Sequence, residues 1–162
     1  SEALRGLTKA RATRDPEERA RIELVLSRVL DRFGAAQPAT QALERAVRDA
    51  SRDKGQAAAT IGHLVGRAFV RGDLAAARDG LTRALAADLA LEDVVYYALW
   101  VRLLERQLRA PSDGAPARVF SSVVDDGKWT AKLAAFGAGR LRGEELVAAA
   151  RTLSQRTEGL FY

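Results

Sequence analysis

From residue 15 to residue 108 apolar positions recur at three- and four-residue steps, and the spacing breaks at glycines. That is the period of a helix with one buried face, so the pattern predicts a succession of amphipathic helices. The first runs through "RDPEERARIELVLSRVLDRFG". Asp15 is placed to cap it, Pro16 suits its first position, and Glu17 and Glu18 complement its dipole. Ile22, Val25, Leu26, Val29, Leu30 and Phe33 make its apolar face, and Gly34 stops it. A second helix over 38–52 shows Leu43, Ala46, Val47 and Ala50 on one side, and "SRDKGQ" closes it. A third, over 56–71, carries Ile61, Leu64, Val65, Ala68 and Phe69. At Gly72-Asp73 the chain turns. Glycine supplies the left-handed stop and Asp73 the cap of a fourth helix over 74–87, with Ala77, Leu81, Ala84 and Leu85 inward.

The next segment, over 91–108, has a different pattern. "VVYYALWVRLL" is apolar around its whole circumference apart from Arg102, as in a helix buried on more than one side. It reads as the structural centre, and its Tyr96, Tyr97 and Trp100 form either an aromatic peptide pocket or, as the valines and leucines on every side favour, plain core. "RAPSDGAPA" is a loop, and short helices follow near 118–124, 129–138 and 144–153, with a "GRLRG" turn before the last. "QRTEGLFY" begins one more, whose Leu160, Phe161 and Tyr162 are expected to fold back onto the 129–153 hairpin. At the other end, residues 1–14 predict a short helix with Leu4 and Leu7 as its large apolar residues.

Composition agrees with helix. Alanine, leucine and arginine dominate, and strand-forming residues are sparse outside short runs. With 48% hydrophobic and 29% charged residues, the 162-residue chain is an ordered globule with enough length for a sizeable core. The longest apolar run, residues 94–101, falls far short of a membrane span. The absence of cysteine excludes disulfides, thiolate metal sites and cysteine nucleophiles. A chain that starts at Ser1 and lacks methionine reads as a piece of a longer protein, cytoplasmic, or periplasmic if a leader was removed. The net charge of +5 raises the question of nucleic acid. Yet the arginines alternate with acids, as in "TRDPEERAR", which marks solvated helix faces rather than a stripe of one sign.

The chain also repeats itself. "GAAQPATQALERAV" from Gly34 aligns with "GDLAAARDGLTRAL" from Gly72 at an offset of 38, matching Gly34/Gly72, Ala39/Ala77, Leu43/Leu81, Arg45/Arg83 and Ala46/Ala84. These are the small and large positions at which two helices interlock. "IGHLVGRAFVRGDLAAARDGLTRALAAD" resembles one unit of the tetratricopeptide repeat family: Leu64 and Ala68 on its first helix, the Gly72-Asp73 turn, then Ala77, Leu81, Ala84 and Leu85. It departs from the family at Leu89, where a proline often stands, and at Ala68, where an aromatic is usual. "YYALW", Trp129, Leu133, Phe136, Gly139, "GEELVAAA" and "EGLFY" resemble a segment that follows such repeats in some bacterial repeat proteins. The resemblance implies a right-handed solenoid of antiparallel helical hairpins, about seven to eight helices in one domain over 1–162. A degenerate repeat would fill 1–56, the clearest repeat 57–90 and a C-terminal helical segment 91–162. It further implies a concave face that holds a protein or peptide.

Candidate chemistry is thin. His63 is the only histidine, so no histidine pair exists for a metal or a catalytic dyad. Asp125-Asp126 and Glu144-Glu145 are paired carboxylates, but both sit where helix caps are expected. "FGAGRLRG" lacks phosphate-loop spacing and reads as a turn. The first helix of the clear repeat has an oddly small surface, with Ala59, Gly62 and Gly66 beside His63, Phe69 and Val70. Interior glycines cost a helix roughly 1 kcal/mol each, so a neighbouring helix or a bound peptide must come close there. These six residues are the candidate partner-binding set. The expectation is a non-catalytic interaction module with a protein or peptide partner and no cofactor or metal. The alternative is a helical nucleic-acid-binding or regulatory domain using its arginines.

Overall fold

A computed structural model describes residues 12–50 and 53–162, so the expected N-terminal helix falls almost entirely outside the described residues. Among the described residues every regular element is a helix and there is no strand. The helices are α1 (Pro16–Arg32), α2 (Ala36–Asp49), α3 (Lys54–Arg71), α4 (Leu74–Ala86), α5 (Leu91–Gln107), α6 (Ala115–Ser122), α7 (Trp129–Gly137), α8 (Gly143–Ala148) and α9 (Leu153–Phe161). The all-helical class is as expected, and the helices described exceed the seven or eight expected. They group into two compact units, with boundaries inside α3 and α4. One holds the described residues up to Leu64 with Thr82–Leu89, the other Val65–Leu81 with Ala90–Tyr162.

In the first unit α1 and α2 pack antiparallel, as two ion pairs show: Arg19 near the start of α1 meets Asp49 at the end of α2 at 2.6 Å, and Glu23 meets Arg45 at 3.0 Å. Asp15 caps α1, accepting the Glu17 N–H at 3.0 Å. The apolar face of α1 differs from expectation. Leu26 is buried and Ile22, Val29 and Leu30 half-buried as expected, but Val25 and Phe33 are exposed, and Ala20, Glu23, Leu24 and Ser27 are buried as well. The cause is Glu23, whose charge could be buried because Arg45 answers it from α2. Leu24, Leu43 and Ala46 then form the core, with Val47 and Leu64 packed against them. Lys54, opening α3, pairs with Asp88 just past α4 at 2.7 Å.

The two turns at the 38-residue offset share a geometry that other helix ends, such as Gly139-Arg140, also adopt. Gly34 and Gly72 both sit in the left-handed region, at φ of 72° and 68°. The next N–H reaches back to the same relative carbonyl in each, Ala35 to Leu30 and Asp73 to Ala68, both at 2.9 Å. Matched positions share their burial: Ala39 and Ala77, Leu43 and Leu81, and Ala46 and Ala84 are all inside. Asp73 caps α4 by accepting the Ala76 N–H at 3.0 Å. Leu85, expected inward, is half exposed.

In the second unit α5 is the centre, packed by α6 and α7, with Val94, Val95, Tyr97, Ala98, Leu99, Val101 and Leu104 buried. Its one buried charge, Glu105, is held by Arg78 at 2.8 Å and by Arg102 at 3.4 Å. Arg78 also contacts Asp113 at 3.3 Å and donates to the Pro111 carbonyl, tying α4 and the loop before α6 to the end of α5. The helix expected over 144–153 stops early, and the one expected to begin in "QRTEGLFY" starts ahead of it. α8 ends at Ala148, and Thr152 opens α9 by accepting the Gln155 N–H at 3.1 Å while the Gln155 side chain accepts the Arg151 N–H at 2.8 Å. This reciprocal capping at "TLSQ" outweighs the helical run before it.

Candidate functional site

Glu158 sits on the inner face of α9, followed by Gly159, which lies so close to α8 that a Cβ there would be 3.3 Å from Val147. That approach brings the Glu158 carboxylate between α5 and α7. Its Oε2 accepts the Trp129 indole N–H at 2.8 Å and the Tyr96 hydroxyl at 3.2 Å. Its Oε1 is enclosed and makes no hydrogen bond. Above it opens a cleft of about 710 Å³, walled by Tyr96, Trp100, Phe161 and Tyr162 and edged by Leu153 and Thr157.

The rings form one continuous set. Tyr97, Trp100, Phe69, Phe161, Tyr162 and Phe136 follow one another at centroid separations of 6.4, 5.7, 6.0, 5.4 and 6.2 Å. With Tyr96 and Trp129 at the carboxylate, this places both tryptophans, all three tyrosines and three of the five phenylalanines around one feature. Aromatic residues are only 6% of the chain, so their concentration is not a by-product of composition. The surroundings keep the phenols neutral. Burial, then the hydrogen bond to Glu158, pushes Tyr96 up to about 12. Burial and the nearby Asp93 do the same for Tyr97, to about 12, and burial raises Tyr162 as well.

The α5 aromatics therefore divide. Tyr97 is core as expected, but Tyr96 and Trp100, one helical turn apart, are half-buried and line the cleft. The last turn does fold back, though with a different face inward. Tyr162 packs on Phe136, while Leu160 and Phe161 remain 71% and 62% exposed. With Leu153, also exposed, they form an apolar stripe along α9. The face turned inward is Glu158, Gly159 and Tyr162, because glycine permits the closest approach and the carboxylate finds two donors there.

Of the residues expected to bind a partner, Gly66 and Phe69 belong to this unit's aromatic set. The Trp100 ring lies over Gly66, where a Cβ would meet Cζ3 at 3.4 Å, an ordinary contact, so α5 comes close at that glycine without requiring it. Phe69 stacks on Trp100. Val70, also in the second unit, is 85% exposed. Ala59, Gly62 and His63 belong to the first unit. Ala59 is exposed and Gly62 half-buried, and His63 places Nε2 3.9 Å from an Asp31 oxygen. The paired carboxylates act largely at helix starts and turns. Asp125 accepts the Gly127 N–H, Asp126 the Lys128 N–H, and Glu145 the Arg142 N–H at the start of α8. The Lys128 ammonium and N–H hold Asp126 below the usual carboxylate range. A smaller cleft of about 260 Å³ in the first unit is lined mainly by Val47, Ile61 and alanines, with Arg83 its one charge.

Among the described residues no cluster of acids and histidine could hold a metal ion, and no helix is long and apolar enough to cross a membrane. Comparison with protein-family models, curated proteins and solved structures gives no match to this chain. Glu158 was not legible as a functional residue in advance. The available signal was the pairing of two aromatic-rich stretches, "YYALW" and "EGLFY", in a chain otherwise poor in rings.

Proposed function

We propose that this chain is a non-catalytic helical interaction module of the tetratricopeptide kind, and that a partner protein or peptide docks in the aromatic cleft of the second unit. The observation carrying the reading is that four rings, Tyr96, Trp100, Phe161 and Tyr162, line one open cleft with the exposed Leu153, while Leu160 lies exposed on the same helix. Aromatic side chains supply large contact area at little conformational cost, and exposed apolar residues contiguous with a concavity mark interaction surfaces. The repeated Gly34 and Gly72 turns support the solenoid part of the reading.

The test places a photo-reactive phenylalanine analogue at Leu160, and as a control at the exposed Leu85 outside this cleft, in the cells of origin. A partner captured from Leu160 alone is then purified and its affinity measured for the wild-type chain and for Phe161→Asp. A loss of affinity of about tenfold or more is expected, since a charge would face the apolar contact. Equal affinity for both chains would refute docking at this cleft.

A further inference from the structure

The aromatic cleft also bears on the chemistry of what enters it. Resting on the docking reading, we infer that the cleft takes the cationic head of a partner's arginine or lysine side chain.

Among the described residues Glu158 is the only charged one lining the cleft. Both of its hydrogen bonds come from neutral donors, the Trp129 indole and the Tyr96 hydroxyl, and both fall on Oε2. Oε1 has none, and among the described residues no cation pairs with this carboxylate. Elsewhere in the chain buried acids are answered: Glu23 by Arg45, and Glu105 by Arg78 and Arg102. Glu158 departs from that habit, and it does so at the floor of an open cleft.

The walls supply the second half of the recognition. Trp100, Tyr96, Phe161 and Tyr162 border the opening. Aromatic faces carry the negative end of a quadrupole and attract a cation within about 6 Å of the ring centre, tryptophan most strongly. A guanidinium also stacks flat on such rings while its N–H groups reach a carboxylate. Volume is sufficient, since about 710 Å³ lies within the roughly 300–1,000 Å³ typical of ligand sites. The cation is needed from outside. Lys128 is already paired with Asp126 at 2.7 Å. Arg156 lies two residues before Glu158 on the same helix, where side chains point apart. Glu92, one turn before Tyr96, adds negative field at the Tyr96 hydroxyl. The chain's net charge of +5 is spread over exposed arginines and screened within about 8 Å at physiological salt. The local sign at the cleft is therefore negative.

Both tryptophans border this carboxylate or its cleft, and the chain has no others, so two indole N–H resonances report on it directly. The experiment titrates the ¹⁵N-labelled chain with the peptide acetyl-Ala-Leu-Arg-Ala-Leu-amide, and with the same peptide carrying neutral, isosteric citrulline. The expected result is saturable shifts of both indole signals, with the arginine peptide binding about tenfold or more tightly. Glu158→Gln keeps the acceptor for Trp129 and Tyr96 but removes the charge, and should bring the two peptides to equal affinity. Equal affinity for the wild-type chain overturns the inference whatever the variant does. If both peptides then also lose binding with Phe161→Asp, the docking reading survives without its cation. If neither peptide shifts either indole, docking and cation recognition fall together.

Discussion

Replacing Gly137 by alanine puts a methyl where the structure has a phenylalanine ring. A Cβ built on Gly137, the last residue of α7, would lie 2.5 Å from Cζ of Phe120 and 2.7 Å from both Cε1 and Cε2. These distances are far inside van der Waals contact, so the ring must move. Phe120 is only 1% exposed on α6, and its rigid ring has two torsions with which to retreat. The free space nearby is the cleft lined by Arg102, Ala117, Gly137 and Ala138, and swinging into it would expose apolar ring surface at about 25 cal/mol per Å². Overpacking of this kind costs about 1–3 kcal/mol. Against it stands the helix preference for alanine over glycine, at most about 1 kcal/mol and less in a final turn. The net expectation is a loss of about 1–2 kcal/mol, opposite in sign to propensity alone. Urea denaturation reads it as a lower midpoint at unchanged slope. Phe120→Leu, made in both backgrounds, closes a double-mutant cycle in which most of the alanine penalty should vanish. A Gly137→Ala chain as stable as the parent, or an equal penalty with Phe120→Leu, would show that the helices are not this close.

Gly66→Ala should behave in the opposite way. Its Cβ would meet Trp100 at an ordinary 3.4 Å within the long helix α3, so a gain of up to about 1 kcal/mol is expected, and a lower urea midpoint would refute the fit. Glu105→Ala removes a buried carboxylate that two partly exposed arginines share and should cost about 1–3 kcal/mol by chemical denaturation. A loss under about 1 kcal/mol would mean that the Arg78 network is dispensable. Tyrosinate absorbance should rise later in the folded chain than in urea, because all three phenols are raised, Tyr96 and Tyr97 to about 12. The unfolded chain loses these protons near pH 10, so their stabilising share is full below that pH and is lost as pH climbs through 12. Coincident titrations of folded and unfolded chain would contradict the burial.

Local signals were readable where the backbone dictates them. Asp15-Pro16, Gly34 and Gly72-Asp73 mark helix ends through capping and left-handed geometry, and each acts in the structure as its chemistry requires. The periodic apolar runs gave the helices themselves. Which face turns inward was less readable, because hydrophobicity alone assigns a charged residue to solvent. On α1 the buried face contains Glu23 and leaves Val25 outside, a choice made by Arg45 in another helix and invisible in the local pattern. Glu105 repeats the point on α5: a run that reads as apolar with one arginine has its acid inside, answered by Arg78, 27 residues earlier.

The same physics explains why the cleft was hidden. A ring-rich helix such as "VVYYALW" is indistinguishable from core by composition, and Tyr97 is indeed core. What separates Tyr96 and Trp100 from it is a carboxylate 62 residues after Tyr96, brought in by a glycine that lets α9 lie against α8. Neither Glu158 nor Gly159 has a periodic signature, since one charged residue and one glycine in a short helix fit a solvent-facing turn equally well. Only the assembled unit places the charge under the rings. Leu160 and Phe161, large and apolar, were expected inside on transfer energy, yet the inner positions on α9 go to residues that can approach closely or accept hydrogen bonds. Of the apolar residues so displaced, Phe161 lines the cleft beside Tyr96, Trp100 and Tyr162, and Leu160 stays exposed on α9.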